Sequence, residues 1–180
     1  MAQSGDEVEV VITYLEMTAR PAAKLHPPAN ANIALIRAET PPVSYFLYLY
    51  GTVGAAHDWT DWFAESPAAQ TAFVQDPNVT LFTLMVDGWP GGFFMLDTRE
   101  AGTCDLAYFG LIPQALGRGL GSWLLESAIQ TAWDTSDTNR LTVNTCTLDH
   151  PRALPLYQRM GFSPIRQQTT TRLLSGKGSS

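Results

Sequence analysis

The sequence has few of the residues that bind a phosphate backbone. Only two of its 180 residues are lysines, and the formal net charge is −6 at pH 7. Binding to nucleic acid requires clustered Lys and Arg, so this charge balance argues against a nucleic-acid partner. An acidic surface would suit a cationic small-molecule substrate, although most acidic surfaces only aid solubility.

Cysteine and histidine are also scarce. The chain has two cysteines, Cys104 and Cys146, and three histidines. Because they nowhere show the spacing of metal ligands, the sequence predicts no metal site. Both cysteines lie in apolar, strand-like runs, which predicts reduced and unreactive buried thiols in a cytoplasmic protein. The two thiols could still face each other across neighbouring strands.

Long apolar runs are missing as well. No uncharged stretch approaches the roughly 20 residues that span a membrane. The first ten residues, MAQSGDEVEV, do not join a basic segment to an apolar one. We therefore expect no membrane partner and no secretory signal. The length suits a single domain over residues 1–180, with a flexible tail at about 174–180.

The residue pattern predicts a mixed α/β order of elements. A β-branched strand at 8–18 precedes a loop at 20–32, and a helix follows Pro41–Pro42. One or two short helices, broken near Pro67, lead to a hairpin whose turn is expected at 89–91. The remaining predictions are strands at 104–112, 141–148 and 162–173, and helices at 119–133 and 151–160.

A glycine-rich turn joins the strand at 104–112 to the next helix, within FGLIPQALGRGLGSWLLESA (109–128). Strand, glycine turn and helix together direct free backbone amides and a helix dipole at an anion. A dinucleotide fingerprint fails because Ser122 stands where its last glycine belongs, and a P-loop fails because this region has no lysine. A coenzyme A pyrophosphate cradle and a turn that only redirects the chain both remain open.

Two motifs in the second half resemble the GNAT superfamily of acyl-CoA-dependent N-acetyltransferases. Residues 116–121, LGRGLG, resemble the family's Gln/Arg-x-x-Gly-x-Gly/Ala, and HPRALPLYQRMGF (150–162) resembles Asn-x-x-Ala-x-x-Leu-Tyr-x-x-x-Gly-Phe. Leu116 replaces Gln or Arg, and His150 replaces Asn. Pro155 inside the last helix is expected to distort its first turn and to affect the placement of Tyr157.

The resemblance implies a single-domain α/β GNAT fold with a twisted mixed sheet of six or seven strands and helices on both faces. It also implies acetyl-CoA as co-substrate. A strand bulge near 108–110 would free backbone amides for the pantetheine arm. The expected coenzyme-binding residues are Phe109, Gly110, Leu111, Gly117, Arg118, Gly119, Leu120, Gly121, Ser122 and His150.

The implied reaction is acetyl transfer to a primary amine in a ternary complex. Tyr157 is the candidate acid, because a phenol stays protonated where a thiol ionises. Asp105 stands where many family members carry a catalytic Glu, and it is equally compatible with a structural carboxylate. Asp149 and Glu16 are weaker candidates for the base, and Asp149 is simpler to interpret as a helix cap. His150 is expected to contact the coenzyme or stabilise structure rather than act as a base.

Of the components of this reaction, the amine acceptor is the one that the sequence determines least. The aromatic residues of segments 45–63 and 89–94 could wall an amine site, although core packing is the better expectation for any single one. The acceptor is expected to be a small-molecule or peptide amine, and a homodimer stays open. A non-catalytic acyl-CoA-binding or regulatory domain is the alternative function.

Overall fold

Seven strands and five α-helices form the described part of the chain. The computed structural model describes residues 5–24, 26–29, 31–135 and 137–175. In chain order the elements are β1 (Glu7–Met17), β2 (Ile33–Ala38), α1 (Val43–Gly54), α2 (Asp61–Ala64), α3 (Pro67–Val74), β3 (Val79–Val86), β4 (Trp89–Asp97), β5 (Thr103–Leu111), a 3-10 turn (Pro113–Ala115), α4 (Leu120–Asp134), β6 (Arg140–Cys146), α5 (Ala153–Arg159) and β7 (Ser163–Leu173).

All seven strands belong to one sheet in the order β2-β3-β4-β5-β6-β1-β7. Neighbouring strands are antiparallel except β5 and β6, which are parallel and are connected through α4. The N-terminal strand β1 lies between β6 and β7 and pairs with both. The predicted α/β class and mixed sheet are therefore confirmed.

Helices cover both faces of this sheet, as predicted. Adjacent residues on β5 point to opposite faces. Tyr108 packs against Phe46 of α1, with ring centroids 6.0 Å apart, whereas Phe109 packs against Tyr157 of α5 at 6.2 Å. Helices α1 and α5 therefore lie on opposite sides, and the core fills the space between them and the strands.

Two local features differ from the sequence-based expectation. Strand β2 lies just beyond the predicted loop, and it is a short, half-exposed edge strand that pairs only with β3. The hairpin turn is formed by Asp87 and Gly88, whose φ angles are +51° and +89°, so Trp89 is already the first residue of β4. Asp-Gly is a strong signal for such a two-residue turn.

Helix α4 is amphipathic, but its polar stripe is not left to solvent. Glu126 is buried, and one of its oxygens accepts a hydrogen bond from the Lys24 amide at 2.8 Å. Gln130 donates to the Pro21 carbonyl at 2.9 Å and accepts from Arg20 at 2.8 Å. The segment after β1 therefore runs along α4 and covers it.

The end of the described chain is tied to its beginning. The amide of Leu174 donates to the Asp6 carbonyl at 3.0 Å, and the amide of Ser175 donates to an Asp58 carboxylate oxygen at 3.1 Å. The rest of the expected flexible tail, 176–180, lies outside the described residues. Among the described helices, none is long and apolar enough to cross a membrane.

Gly110 of β5 allows α1 to approach the sheet. A Cβ at this position would overlap Val53 of α1, whose branched side chain cannot swing away. We expect Gly110→Ala to lower the free energy of unfolding by about 1–3 kcal/mol, as overpacking does. Urea denaturation measures it. Adding Val53→Ala should recover part of the loss, and independent additive effects of the two substitutions would contradict this packing account.

Candidate active site

The sheet opens between β5 and β6. Their parallel pairing covers three residue pairs, the last being Asp105 with Thr142. Beyond it, β5 continues to Leu111 beside β4, and β6 continues to Cys146 beside β1. We call the gap between these unpaired lengths, 106–111 and 143–146, the split. Backbone amides on its β5 edge have no ladder partner on β6.

A bulge lies at the start of the β5 side of the split. Met95 of β4 pairs with Tyr108, whereas Leu96 pairs with Leu106, so Ala107 is the extra residue. The bulge therefore lies one residue before the segment 108–110 where it was expected. It places Asp105 and Tyr108, three residues apart, on the same face of the sheet.

Asp105 occupies the narrow end of the split. Its carboxylate accepts a hydrogen bond from the Thr142 hydroxyl at 2.5 Å. Burial raises the pKa of Asp105, and the nearby carboxylates of Asp97 and Glu100 raise it further, while the Thr142 hydrogen bond opposes the shift. The environment therefore moves this carboxyl towards the pKa range of a general base.

An open pocket of ≈ 500 Å³ lies in front of Asp105 and Thr142. Asp97 and Arg99 form an ion pair at 2.6 Å on its wall, and the Arg99 guanidinium lies 5.2 Å from the ring centre of Phe73 on α3. Although burial opposes it, the Arg99 hydrogen bonds lower the pKa of Asp97. The pocket is therefore on the α1 and α3 side of the sheet. Its two carboxyls Asp105 and Asp97 have opposite pKa shifts, raised at Asp105 and lowered at Asp97.

Tyr157 approaches the split from the opposite face. Its ring packs against Phe109 at 6.2 Å and against Phe162 at 5.8 Å, and it is only 6% exposed. Burial raises its pKa, and the charges of Asp149 and Asp105 add to the shift. The hydroxyl therefore holds its proton at neutral pH.

Pro155 does not disturb this placement. It is the third residue of α5, in the first turn, where helix amides have no intrahelical partner. Its missing N–H therefore removes no helix hydrogen bond. Leu156 still donates to the Arg152 carbonyl at 3.0 Å, and Tyr157 follows in a regular helix.

The glycine turn leaves open space beside the start of α4. Gly117 and Gly119 both have φ of +74°, which favours glycine, and a Cβ on either would meet nothing within 4 Å. Gly119 is the N-cap of α4 and offers no side chain to its amides. At Gly121 a Cβ would make only an ordinary 3.7 Å contact with Leu111. No described residue therefore explains a glycine at 121.

The other residues of this turn differ in their surroundings. Arg118 forms an ion pair with Asp87 in the β3–β4 turn at 2.9 Å. Ser122 is half-buried and Leu120 is buried in the core. The positive end of α4 and the backbone amides of its first turn are therefore the main anion-attracting groups here.

The weaker candidates lie at the other end of β6 and on β1. Asp149 is not a helix cap: one oxygen accepts from the Thr145 hydroxyl and the Cys146 amide, both at 2.8 Å, and the other from the Trp59 indole at 3.2 Å. His150 is exposed, and its Nδ1 accepts from the Arg152 amide at 3.1 Å. Glu16 lies beside Arg140 at 3.9 Å, on the strand next to β6.

Aromatic residues form a connected cluster between α1 and β5. Phe46, Phe93 and Phe94 are fully buried, as core packing predicts, whereas Tyr48 and Phe63 are about half exposed. The sequence analysis missed Tyr108, whose hydroxyl accepts a hydrogen bond from Trp62 Nε1 at 2.6 Å. Burial raises the pKa of Tyr108 to about 12. Only the bulge reveals that it shares a face with Asp105.

The two cysteines do not face each other. Cys104 pairs with Leu141 across β5 and β6, while Cys146 pairs with Ile12 on β1, five residues further along β6. Burial raises the pKa of Cys104 to about 12 and also raises the pKa of Cys146. Both thiols are therefore protonated at neutral pH and weakly nucleophilic. The described residues contain no cluster that could hold a metal ion.

Comparison with known proteins identifies the sequence family. The model of the acetyltransferase (GNAT) family matches residues 40–162, which include the split, the glycine turn and Tyr157. Among curated proteins, none matches the chain in sequence.

Solved structures share the fold at low identity. A GCN5-related N-acetyltransferase from Kribbella flavida is 16% identical with a TM-score of 0.59, and the match covers 89% of this chain but 56% of that one. An aminoglycoside acetyltransferase from an uncultured soil metagenomic sample, in complex with trehalose, is 13% identical (TM-score 0.57; 72% of this chain, 87% of that one). An aminoglycoside N-acetyltransferase in complex with CoA is 16% identical with a TM-score of 0.54, and the match covers 78% of this chain and 95% of that one.

The raised pKa of Asp105 predicts a pH-dependent effect on stability. The folded carboxyl binds its proton more tightly than the unfolded one, so its stabilising contribution is present below its ordinary value of 3.8 and is lost as pH rises through the folded value. Asp105→Asn keeps an oxygen acceptor for Thr142 without titrating. Relative to the wild type, this variant should be more stable at about pH 7 than at about pH 3.

Urea denaturation of both proteins at the two pH values measures this difference. Asp76→Asn, an exchange in the loop before β3, is the control. A stability difference between Asp105→Asn and wild type that is the same at both pH values would contradict the raised pKa.

Proposed function

Because this chain belongs to the GNAT acetyltransferase family, we propose that it transfers an acetyl group from acetyl-CoA to a primary amine. The observation that carries the proposal is the split, which has a titratable carboxyl at its narrow end and a protonated phenol beside it. The carboxyl can accept the proton that the amine must lose, and the phenol can donate the proton that the leaving thiolate must gain.

The residues around the glycine turn fit the diphosphate of coenzyme A. The first amides of α4 and the positive end of its dipole attract an anion, and the space beside Gly117 and Gly119 is open. Leu120, Gly121 and Ser122 would supply the amides, and Arg118 would supply a positive charge if it moved from Asp87. His150, exposed at the start of the turn before α5, would contact the coenzyme arm.

The β5 side of the split would hold the acyl end. The unpaired amides around Phe109 and Leu111 can donate hydrogen bonds to a pantetheine amide and to a carbonyl oxygen. When bound, acetyl-CoA supplies an activated acyl thioester. Gly110 at this place lets α1 pack closely behind the strand, which keeps these amides in a fixed position.

Asp105 is proposed as the base for the amine. An alkylamine is mostly protonated near neutral pH, and only its neutral form is a nucleophile. Asp105 can take that proton directly or through a water, since its pocket is open to solvent. The raised pKa makes it a better base than an ordinary aspartate.

Tyr157 is proposed as the acid. Its hydroxyl keeps its proton at neutral pH, because burial of the side chain raises its pKa. It is therefore able to donate to a leaving sulfur. Because both cysteine thiols are protonated, a direct transfer in a ternary complex is favoured over an acyl-enzyme.

The acceptor is proposed to be a small-molecule amine. The pocket before Asp105 has the volume of an ordinary small-molecule site, and it carries the acidic residues Asp97, Glu100 and Asp105 beside Arg99, which suits a cationic amine. Two of the similar structures are aminoglycoside acetyltransferases, which supports an acceptor of this kind.

Coenzyme binding and thiol release test the proposal together. Coenzyme A should raise the unfolding temperature, whereas ATP and NAD should not. Acetyl-CoA should then release thiol with at least one member of a panel of amines, polyamines, amino acids and short peptides. Protection by ATP or NAD alone would contradict the proposal, and binding without any thiol release would favour a non-catalytic coenzyme-binding domain.

Replacing Tyr157 by Phe isolates the acid. The substitution removes only the hydroxyl and keeps the ring contacts with Phe109 and Phe162. We expect kcat to fall by about 10²–10⁴-fold, with acetyl-CoA affinity unchanged, since the hydroxyl acts in the chemical step. Steady-state rates and calorimetric titration measure the two quantities. Wild-type turnover in the folded variant would remove Tyr157 as the acid.

Replacing Gly119 by Val tests the cradle, and Gly121→Ala is the matched control. At Gly119 a side chain would enter the open space beside the turn, and its φ of +74° favours glycine, so affinity for coenzyme A should fall. At Gly121 the new Cβ makes an ordinary contact with Leu111, and Ala is favoured over Gly inside a helix by about 1 kcal/mol, so stability and affinity should be kept. Unchanged affinity in folded Gly119→Val would show that the diphosphate does not lie on this turn.

A further inference from the structure

The segment His57–Phe63, which we call the strap, is seated on two glycines of α1. A Cβ at Gly54 would overlap Trp59, and one at Gly51 would lie 2.9 Å from the Phe63 ring. Gly inside a helix is destabilising by about 1 kcal/mol relative to Ala. Gly51 lies inside α1 and carries this cost, whereas Gly54 is the last residue of the helix, and both leave room for the strap on one side of α1.

The strap contacts the β5 side of the split through Tyr108. The rings of Trp59 and Tyr108 lie 5.5 Å apart, and Trp62 Nε1 donates to the Tyr108 hydroxyl at 2.6 Å. Trp59 also packs against Tyr50 of α1 at 5.5 Å. The orientation of the Trp59 indole is thus fixed from the β5 side.

The same segment is bound to the β6 side. Trp59 Nε1 donates to an Asp149 oxygen at 3.2 Å. His57 Nδ1 lies 3.2 Å from the Leu148 carbonyl, which can only accept, so this ring nitrogen carries the proton. The other Asp149 oxygen is held by Thr145 and by the Cys146 amide, the last residue of β6. The strap is therefore bonded to the end of β6.

We propose that the Trp59–Asp149 hydrogen bond sets the width of the split and thereby the position of the thioester between Asp105 and Tyr157, an inference that rests on the proposed function. Beyond Asp105 and Thr142 no ladder bond joins β5 to β6, so the strap is what spans them on the α1 face of the sheet. Trp59 and Asp149 are positioning residues: they act through the spacing of the two strands and carry no proton in the reaction.

The decisive variant is Trp59→Phe, which keeps an aromatic ring on Gly54 and loses the N–H donor. Misplacing reacting groups by about 1 Å lowers rates by up to about 10²-fold. We expect kcat to fall at least about tenfold with the most active amine of the panel, while the dissociation constant of coenzyme A stays within about twofold. The coenzyme cradle lies on the other face of the sheet and should not change.

Trp133→Phe is the matched control, because its indole donates to the Met17 sulfur at 3.4 Å, away from the split. It should keep the wild-type kcat even if its stability falls as much as that of Trp59→Phe. Combining Trp59→Phe with Asp149→Ala should lower kcat no further than Asp149→Ala alone, because each substitution removes the same Trp59–Asp149 hydrogen bond.

Three results would overturn the inference. A wild-type kcat in folded Trp59→Phe, with acetyl-CoA binding and transfer intact in the wild type, would overturn it and leave the proposed function standing. An equal loss of coenzyme affinity and kcat would show that the strap acts on binding and not on spacing. Failure of the wild type to bind acetyl-CoA would remove the proposed function and this inference with it.

Discussion

The short pairing between β5 and β6 is the constraint on which the site depends. Three residue pairs hold the two halves of a seven-stranded sheet together, and the Thr142–Asp105 hydrogen bond closes the last of them. Along the split, β5 is paired with β4 except at the bulged Ala107, and β6 is paired with β1, so both strands are held in place beside the gap. The sheet thereby presents unpaired backbone amides at a place lined on both faces by helices, where a ligand can satisfy them.

The charged groups are also arranged around the split. The chain is acidic, yet it offers an anion the positive end of α4, with no acidic side chain in that helix's first turn. Carboxylates are instead placed at Asp105 and Asp149, at either end of the split. The positive end of α4 and the carboxylates therefore lie at different places around the split.

Sequence reasoning predicted the features that local chemistry determines. The glycine turn does join β5 to α4, and Tyr157 does lie on a short helix before the last strand, because motif spacing and backbone preference encode both. It missed β2, whose register comes entirely from pairing with β3. The exact position of the bulge, the contact of Trp59 with Asp149 and the site position of Tyr108 depend on residues far apart in the chain, which a single sequence does not reveal.

Hydrogen exchange of backbone amides, with and without acetyl-CoA, tests the central claim most directly. If the thioester lies in the split, acetyl-CoA should slow exchange at residues 107–111 and at the first turn of α4, 120–123, and change β2 and β3 little. Protection confined to other parts of the chain, or none in these two segments at saturating acetyl-CoA, would contradict the account.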